Sequence, residues 1–257
     1  MATPMTDKPV IVAFTLDFET GGLDCTKCAC TQIALHAVRI DTFETIDRYV
    51  VYISPYSKQS DKGTKRKVLR TKFENNEEPM EYQQKALEYS AITMDMLEQH
   101  GVDIKQVAAD IIEFIKKNTL AKGKNFKPFL IGQNVLFDIG FMQQLMEYGG
   151  QVKEWEKVVR GVRSFYGNWQ PYYVDTIILG QLALSHMDGM SSYKLEIMCE
   201  KLGIELDDAH DADADVTATT NVALVCAQRM RQTYSGGGDD GGMVMTKKEK
   251  SRTHFKI

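Results

Sequence analysis

From Val10 to Phe18 the chain is apolar at odd and even positions alike and rich in β-branched and aromatic residues, the pattern of a strand buried on both faces of a sheet. Thr31 to Asp41 and Thr45 to Ser54 read as two further strands. The Thr-Phe-Glu between them is short enough for an antiparallel hairpin, so the chain opens as a three-stranded meander. Glu81 to His100 reads as helix in two pieces. Asp103 is an N-cap residue, and Val107, Ile111, Phe114 and Ile115 form an apolar stripe on a helix running to Lys117. Pro128-Phe-Leu-Ile-Gly132 is a short buried strand. Asn134 can cap the next helix, whose Phe137, Phe141 and Leu145 recur at four-residue spacing and face inward. Tyr172-Tyr-Val-Asp175 repeats the strand pattern ahead of a helix through Leu184, and Ser192 to Leu202 and Ala209 to Arg231 are the last two helices. Strands alternating with helices after a hairpin predict parallel crossovers. The expected fold is α/β, with a mixed five-stranded sheet, three strands antiparallel and then two parallel, flanked by helices.

Composition narrows this picture. At 257 residues, 43% hydrophobic and 26% charged, the chain can bury a sizeable core as one domain, placed at residues 1–234. Ser235-Gly-Gly-Gly-Asp-Asp-Gly-Gly is a flexible linker, and residues 243–257 are basic and sparsely apolar. That tail is either disordered or a docking peptide for a partner. No apolar run approaches the length of a membrane span, and Met1 to Lys8 lacks the apolar segment of a secretory signal, so a cytoplasmic location is expected. A net charge of −4 argues against coating nucleic acid by bulk electrostatics, yet suits a nuclease whose acids are concentrated in its site. Residues 57–72 carry seven basic side chains, Lys58, Lys62, Lys65, Arg66, Lys67, Arg70 and Lys72, against Asp61. This basic loop is either a solvated segment or an arm that grips a nucleic-acid backbone. Of five cysteines, Cys25, Cys28 and Cys30 crowd together; the nearest histidine, His36, falls inside a predicted strand, which favours free thiols in a reducing compartment over zinc.

The chemistry is concentrated in acids. Asp17 and Glu19 close the first strand, and residues two apart share a face, with Cα atoms roughly 7 Å apart. They either lie past the strand end in water or form half of a cation site. All-carboxylate donors favour hard ions, Mg²⁺ or Mn²⁺, over zinc. Asp207-Asp-Ala-His-Asp-Ala-Asp-Ala-Asp215 places five acids and His210 where a helix begins. Some are ordinary helix-start acids, favoured by the dipole, with Asp211 a first-turn residue of this kind. His210 and Asp215 would stand about 140° apart on an ideal helix, so both reach one site only if His210 precedes the helix or opens it. Asp138, in a first turn, also has a local explanation when taken alone.

Taken in order, these residues resemble the motifs of DEDD-type 3′-to-5′ exonucleases of the histidine subclass, a group that includes the proofreading epsilon subunits of bacterial replicative DNA polymerases and several ribonucleases. Asp17-Phe-Glu19-Thr-Gly-Gly22 is similar to the first motif, Gln133-Asn134-Val-Leu-Phe137-Asp138-Ile-Gly-Phe141 to the second, and His210-Asp-Ala212-Asp-Ala-Asp215 to the third. The likeness runs from about Val10 to Arg229. Gln133 stands where the family usually has histidine, and Ser90-Ala91-Ile92 where many members have His-Gly-Ile. The resemblance implies a ribonuclease-H-like fold in which Asp17, Glu19, Asp138 and Asp215 hold two Mg²⁺ or Mn²⁺ ions, with His210 as general base. It implies release of nucleoside 5′-monophosphates from the 3′ end of DNA, single strands preferred, with an RNA-trimming enzyme of the same superfamily as the alternative. Thr20, Gly21, Gly22, Leu23, Ile92, Asn134 and Phe137 would contact the terminal nucleotide. A DNA polymerase would be the partner of the tail.

Overall fold

The computed structural model describes residues 9–57, 67–69, 79–206 and 211–232. The basic loop, apart from its first residue and residues 67–69, lies outside them, as do His210 and the tail.

Strands β1 (Val12–Thr20), β2 (Cys30–Arg39) and β3 (Thr45–Tyr52) form the expected antiparallel meander. A short pair, β4 (Tyr56–Ser57) with β5 (Lys67–Val68), follows. Helices α1 (Gln84–Tyr89), α2 (Met94–His100) and α3 (Ile104–Asn118) lead to β6 (Phe129–Gly132). Asp103 caps α3 by accepting from Lys105 N–H at 2.9 Å. Next come α4 (Leu136–Gly149), α5 (Val152–Val158), the hairpin β7 (Gly161–Arg163) and β8 (Trp169–Pro171), and β9 (Tyr173–Asp175). The described chain ends in α6 (Thr176–Leu184), α7 (Leu195–Leu202) and α8 (Ala212–Gln232). The main sheet has the order β3-β2-β1-β6-β9, with β6 parallel to β1 and β9 parallel to β6. This is the predicted mixed five-stranded sheet.

The period-two alternation of β1 sorts its side chains between two layers. Val12, Phe14, Leu16 and Phe18 enter a large core shared with α3 and α4. Ala13 and Thr15 face the other way, toward α8: Ala13 packs with Ala223, and Thr15 Oγ1 accepts from Thr220 Oγ1 at 3.1 Å. Ala34, opposite Asp17 on β2, packs with Ala212 and Val216. Small residues thus let the first turns of α8 lie close against the sheet on the face that Asp17 and Glu19 share.

Two terminal expectations are corrected. The last helix begins at Ala212 rather than Ala209, and Asp211 is its cap, its Oδ1 accepting from the N–H groups of Asp213 and Ala214 at 3.1 and 3.2 Å. The helix expected from Ser192 begins at Leu195. Among the described residues, no helix is long and apolar enough to cross a membrane.

Candidate active site

β1 continues as strand through Thr20, so Asp17 and Glu19 lie inside it and both are half-buried. On the same face, the first turns of α8 bring Asp215 down, and one carboxylate oxygen from each of Asp17, Glu19 and Asp215 falls within 4.8 Å of the others. The start of α8 is fixed by buried Gln32 of β2, whose Oε1 accepts from Ala212 N–H at 3.4 Å while its Nε2 donates to Asp211 at 3.3 Å. Two residues past the cap, Asp213 accepts from fully buried His36 at 2.5 Å. Burial, then the charges of Asp215 and Asp211, raise the Asp17 carboxyl to about 7. Burial, then Asp17, Asp215 and Asp211, push Glu19 to about 8.

Asp138 approaches from the other layer. It is 2% exposed in the first turn of α4, and its Oδ1 accepts from the backbone N–H of Phe18 at 3.0 Å. β1 runs on past Thr15, its last partner on β6, and Asp138 supplies an acceptor to the backbone there. Burial and the Asp17 charge hold its carboxyl well above the usual range, against the lowering effect of the Phe18 hydrogen bond. It does not join the three-oxygen set, but adds a fourth carboxyl beside it.

The turn that aims Asp138 is held by Asp175, a residue to which sequence reasoning gave no role beyond ending a strand. Its carboxylate accepts from Asn134 and Val135 N–H at 3.2 and 3.1 Å and from Ile177 N–H at 2.9 Å, capping α6 in the same act. Asn134 does not cap α4 with its side chain: it adopts a left-handed φ of 53°, and its carbonyl accepts from Phe137 N–H at 3.0 Å. Gln133 ties the layers together, donating to Tyr193 O at 2.8 Å and accepting from Thr176 Oγ1 at 2.5 Å.

The loop after β1 is shaped by close packing. A Cβ on Gly21 would come within 2.5 Å of Glu81 O, and the Gly21 N–H donates to Ala29 O at 2.8 Å, so that amide serves the fold. Thr20 Oγ1 donates to Gly22 O at 2.8 Å. Buried Gln144 of α4 donates to Cys25 O and Cys28 O at 2.6 and 2.8 Å, anchoring the loop to the helix that carries Asp138. Leu23 is 86% exposed, Phe137 is half-buried with its ring 5.0 Å from Phe141, and Ile92 is buried. Tyr89, on exposed α1, feels the acid cluster: burial and then the charges of Glu196, Glu19 and Asp215 raise its phenol. The five cysteines are free, and no metal-ligating group forms at Cys25, Cys28 and Cys30 among the described residues.

Converging carboxylates that burial and repulsion keep from ionising fit a hard divalent cation, whose charge removes the repulsion and whose preferred ligands are oxygens. The mixed sheet and its acid set together have the ribonuclease-H-like architecture, with acids placed as a divalent cation would need them. The chain belongs to the RNase T exonuclease family, the DEDD type of 3′-to-5′ exonuclease hydrolase: the family profile, described as Exonuclease, matches residues 61–223. The match includes Asp138 and Asp215, and β1 precedes it. Escherichia coli Exonuclease I in complex with a dT13 oligonucleotide has the same fold, with a TM-score of 0.60 at 20% identity over 87% of this chain and 42% of that one. The zinc-bound form of the E. coli Exonuclease I complex with single-stranded DNA gives 0.58 at 21% identity, over 87% and 41%. Exonuclease I from Methylocaldum szegediense gives 0.58 at 20% identity, also over 87% and 41%. The chain thus spans well under half the length of these proteins, and at this identity the likeness is one of fold. No curated protein matches it in sequence.

Proposed function

We propose that the protein removes nucleoside 5′-monophosphates stepwise from the 3′ end of single-stranded DNA. The observation that carries this reading is the convergence of Asp17, Glu19 and Asp215 within 4.8 Å on the shared face of β1 and α8. Asp138 lies beside them, in a chain of the exonuclease family. These four acids would hold two Mg²⁺ or Mn²⁺ ions. Ions bound there supply Lewis acidity to an attacking water and neutralise charge on the phosphoryl oxygens and the leaving 3′ oxygen.

The chain's own groups do the rest. Asp138 stays fixed because Phe18 N–H and the Asp175-braced turn hold it from two sides. His210, outside the described residues, would take the proton from water; in sequence it directly precedes Asp211, the cap that starts α8, and a side chain whose ordinary range is near neutrality suits that step. Leu23, Tyr89, Asn134 and Phe137 would form the rim on which a terminal nucleotide rests. DNA is favoured because the Exonuclease I structures of the same fold hold DNA strands. A proofreading role, with the tail after Ser235 docking on a polymerase, rests on the motif resemblance and on the tail's composition.

The deciding assay incubates the full chain and Mg²⁺ with 5′-labelled single-stranded DNA and a matched RNA. Stepwise shortening of the DNA, abolished in Asp17→Ala, is expected. Intact DNA beside shortened RNA would move the assignment to RNA trimming, and two intact strands would end it.

A further inference from the structure

At the far end of the sheet from the acids lies a cleft of about 780 Å³ between α5, the β7–β8 hairpin and the segment ahead of β6. β6 and β9 run from this cleft toward the acid site, and the four residues of β6 span roughly 13 Å at 3.3 Å per residue. Its walls carry Lys124, Lys127, Lys153, Lys157, Arg160 and Arg163, against the single acid Glu156. Glu156 is already bridged to Arg163, and Lys157 pairs with Glu154 outside the cleft at 2.6 Å. Lys124, Lys127, Lys153 and Arg160 have no ion pair among the described residues. In a chain of net charge −4, so local an excess of positive charge is a preformed field for an anion.

The same walls present aromatic side chains. Trp169 is fixed edge-on against buried Trp155 at 6.2 Å, and the Arg160 guanidinium stands 5.1 Å over the Tyr172 ring. Backbone bonds from Arg160 N–H to Pro128 O at 2.7 Å and from Tyr172 N–H to Arg160 O at 2.8 Å lock the hairpin base to the sheet. At the hairpin tip, Phe165 and Tyr166 are 98% and 86% exposed. Cations alone would suit any polyanion. Cations interleaved with exposed aromatic rings suit a chain bearing both phosphates and unstacked bases, because stacking needs bases free of a duplex.

From this arrangement we infer that the cleft is a second docking site, which binds a single-stranded nucleic-acid segment upstream of the 3′ end. The inference rests on the exonuclease reading for the identity of that strand, and it would keep a substrate tethered after each terminal nucleotide leaves.

Fluorescence anisotropy of labelled oligothymidylate with the full chain, in EDTA and across a salt series, tests it; without metal the acid site has no cation to hold a phosphate, so the cleft dominates. Lys153→Glu with Arg160→Glu should weaken binding about tenfold. It should also flatten the salt dependence, by about 0.7 in log–log slope for each phosphate the cleft no longer neutralises. Lys124→Gln with Lys127→Gln leaves the Arg160–Tyr172 pair intact and should act in the same direction, which guards against a folding defect. Phe165→Ala with Tyr166→Ala should weaken binding by about fivefold or more with the slope kept. Wild-type affinity and slope in all three variants would overturn the proposal, as would polyglutamate competing as well as the oligonucleotide. Binding without Mg²⁺-dependent shortening would instead overturn the exonuclease reading and leave the cleft standing.

Discussion

The backbone N–H of Phe18 donates to the carboxyl of Asp138 across 3.0 Å, so one acid both closes the hydrogen bonding of β1 and adds an ionisable group beside Asp17. Substitution separates the two roles. Asp138→Asn keeps an acceptor for Phe18 and removes a carboxyl whose ionisation burial opposes, so the metal-free variant should melt at or above the wild-type temperature while exonuclease activity falls by more than about 100-fold. Asp138→Ala leaves a buried N–H without a partner, at a cost of about 1–3 kcal/mol, and should lose activity and melting temperature together. Melts in EDTA compare the variants, and equal melting temperatures would refute the backbone role.

The raised carboxyls make stability depend on pH and metal together. Asp17 and Glu19 titrate near 4 in an unfolded chain, but near 7 and 8 when folded. Between those limits the native state holds protons that the unfolded state has released, so metal-free stability falls as pH rises through that window. A cation supplies the missing positive charge where protons have left. Scanning fluorimetry in EDTA should therefore show a lower melting temperature at pH 8 than at pH 5. Added Mg²⁺ or Mn²⁺ should raise the melting temperature more at pH 8, and a larger cation effect at pH 5 would contradict this account.

Much of the scaffold was legible because its signals are local. A strand apolar on both faces and ended by acids, a capping Asp103 and an apolar stripe at four-residue spacing each follow from neighbours in sequence, and β1, α3 and α4 appear as expected. The hairpin of β7 and β8 escaped notice because Gly161–Arg163 and Trp169–Pro171 are three residues each, too short for alternation to stand out. Ala91, in place of the glycine usual at that position, has a φ of 53°, which explains the family's glycine but could be seen only in three dimensions. Asp211 read as one of several first-turn acids because which of them caps α8 depends on where Gln32 of β2 meets the chain. The acids themselves were readable as a set only through motif order, since β1, α4 and α8 are far apart in sequence.

Asp175 illustrates that long-range dependence and gives the last prediction. Its carboxylate reaches Asn134 and Val135 only because Asp175 pairs with Gly132 in the β6–β9 register, which sets the two strand ends side by side. Removing it uncaps α6 and frees the turn ahead of Asp138. The cap alone is worth about 0.5–2 kcal/mol, so Asp175→Ala should lower thermal stability by at least that much. A merely structural residue would do no more. A positioning residue should also shift metal dependence, because Asp138 would no longer be held against Phe18. The Mg²⁺ concentration for half-maximal exonuclease activity should rise about 10- to 100-fold in Asp175→Ala, and less in Asp175→Asn, which retains one acceptor oxygen. A destabilised Asp175→Ala with wild-type Mg²⁺ dependence would restrict Asp175 to capping α6.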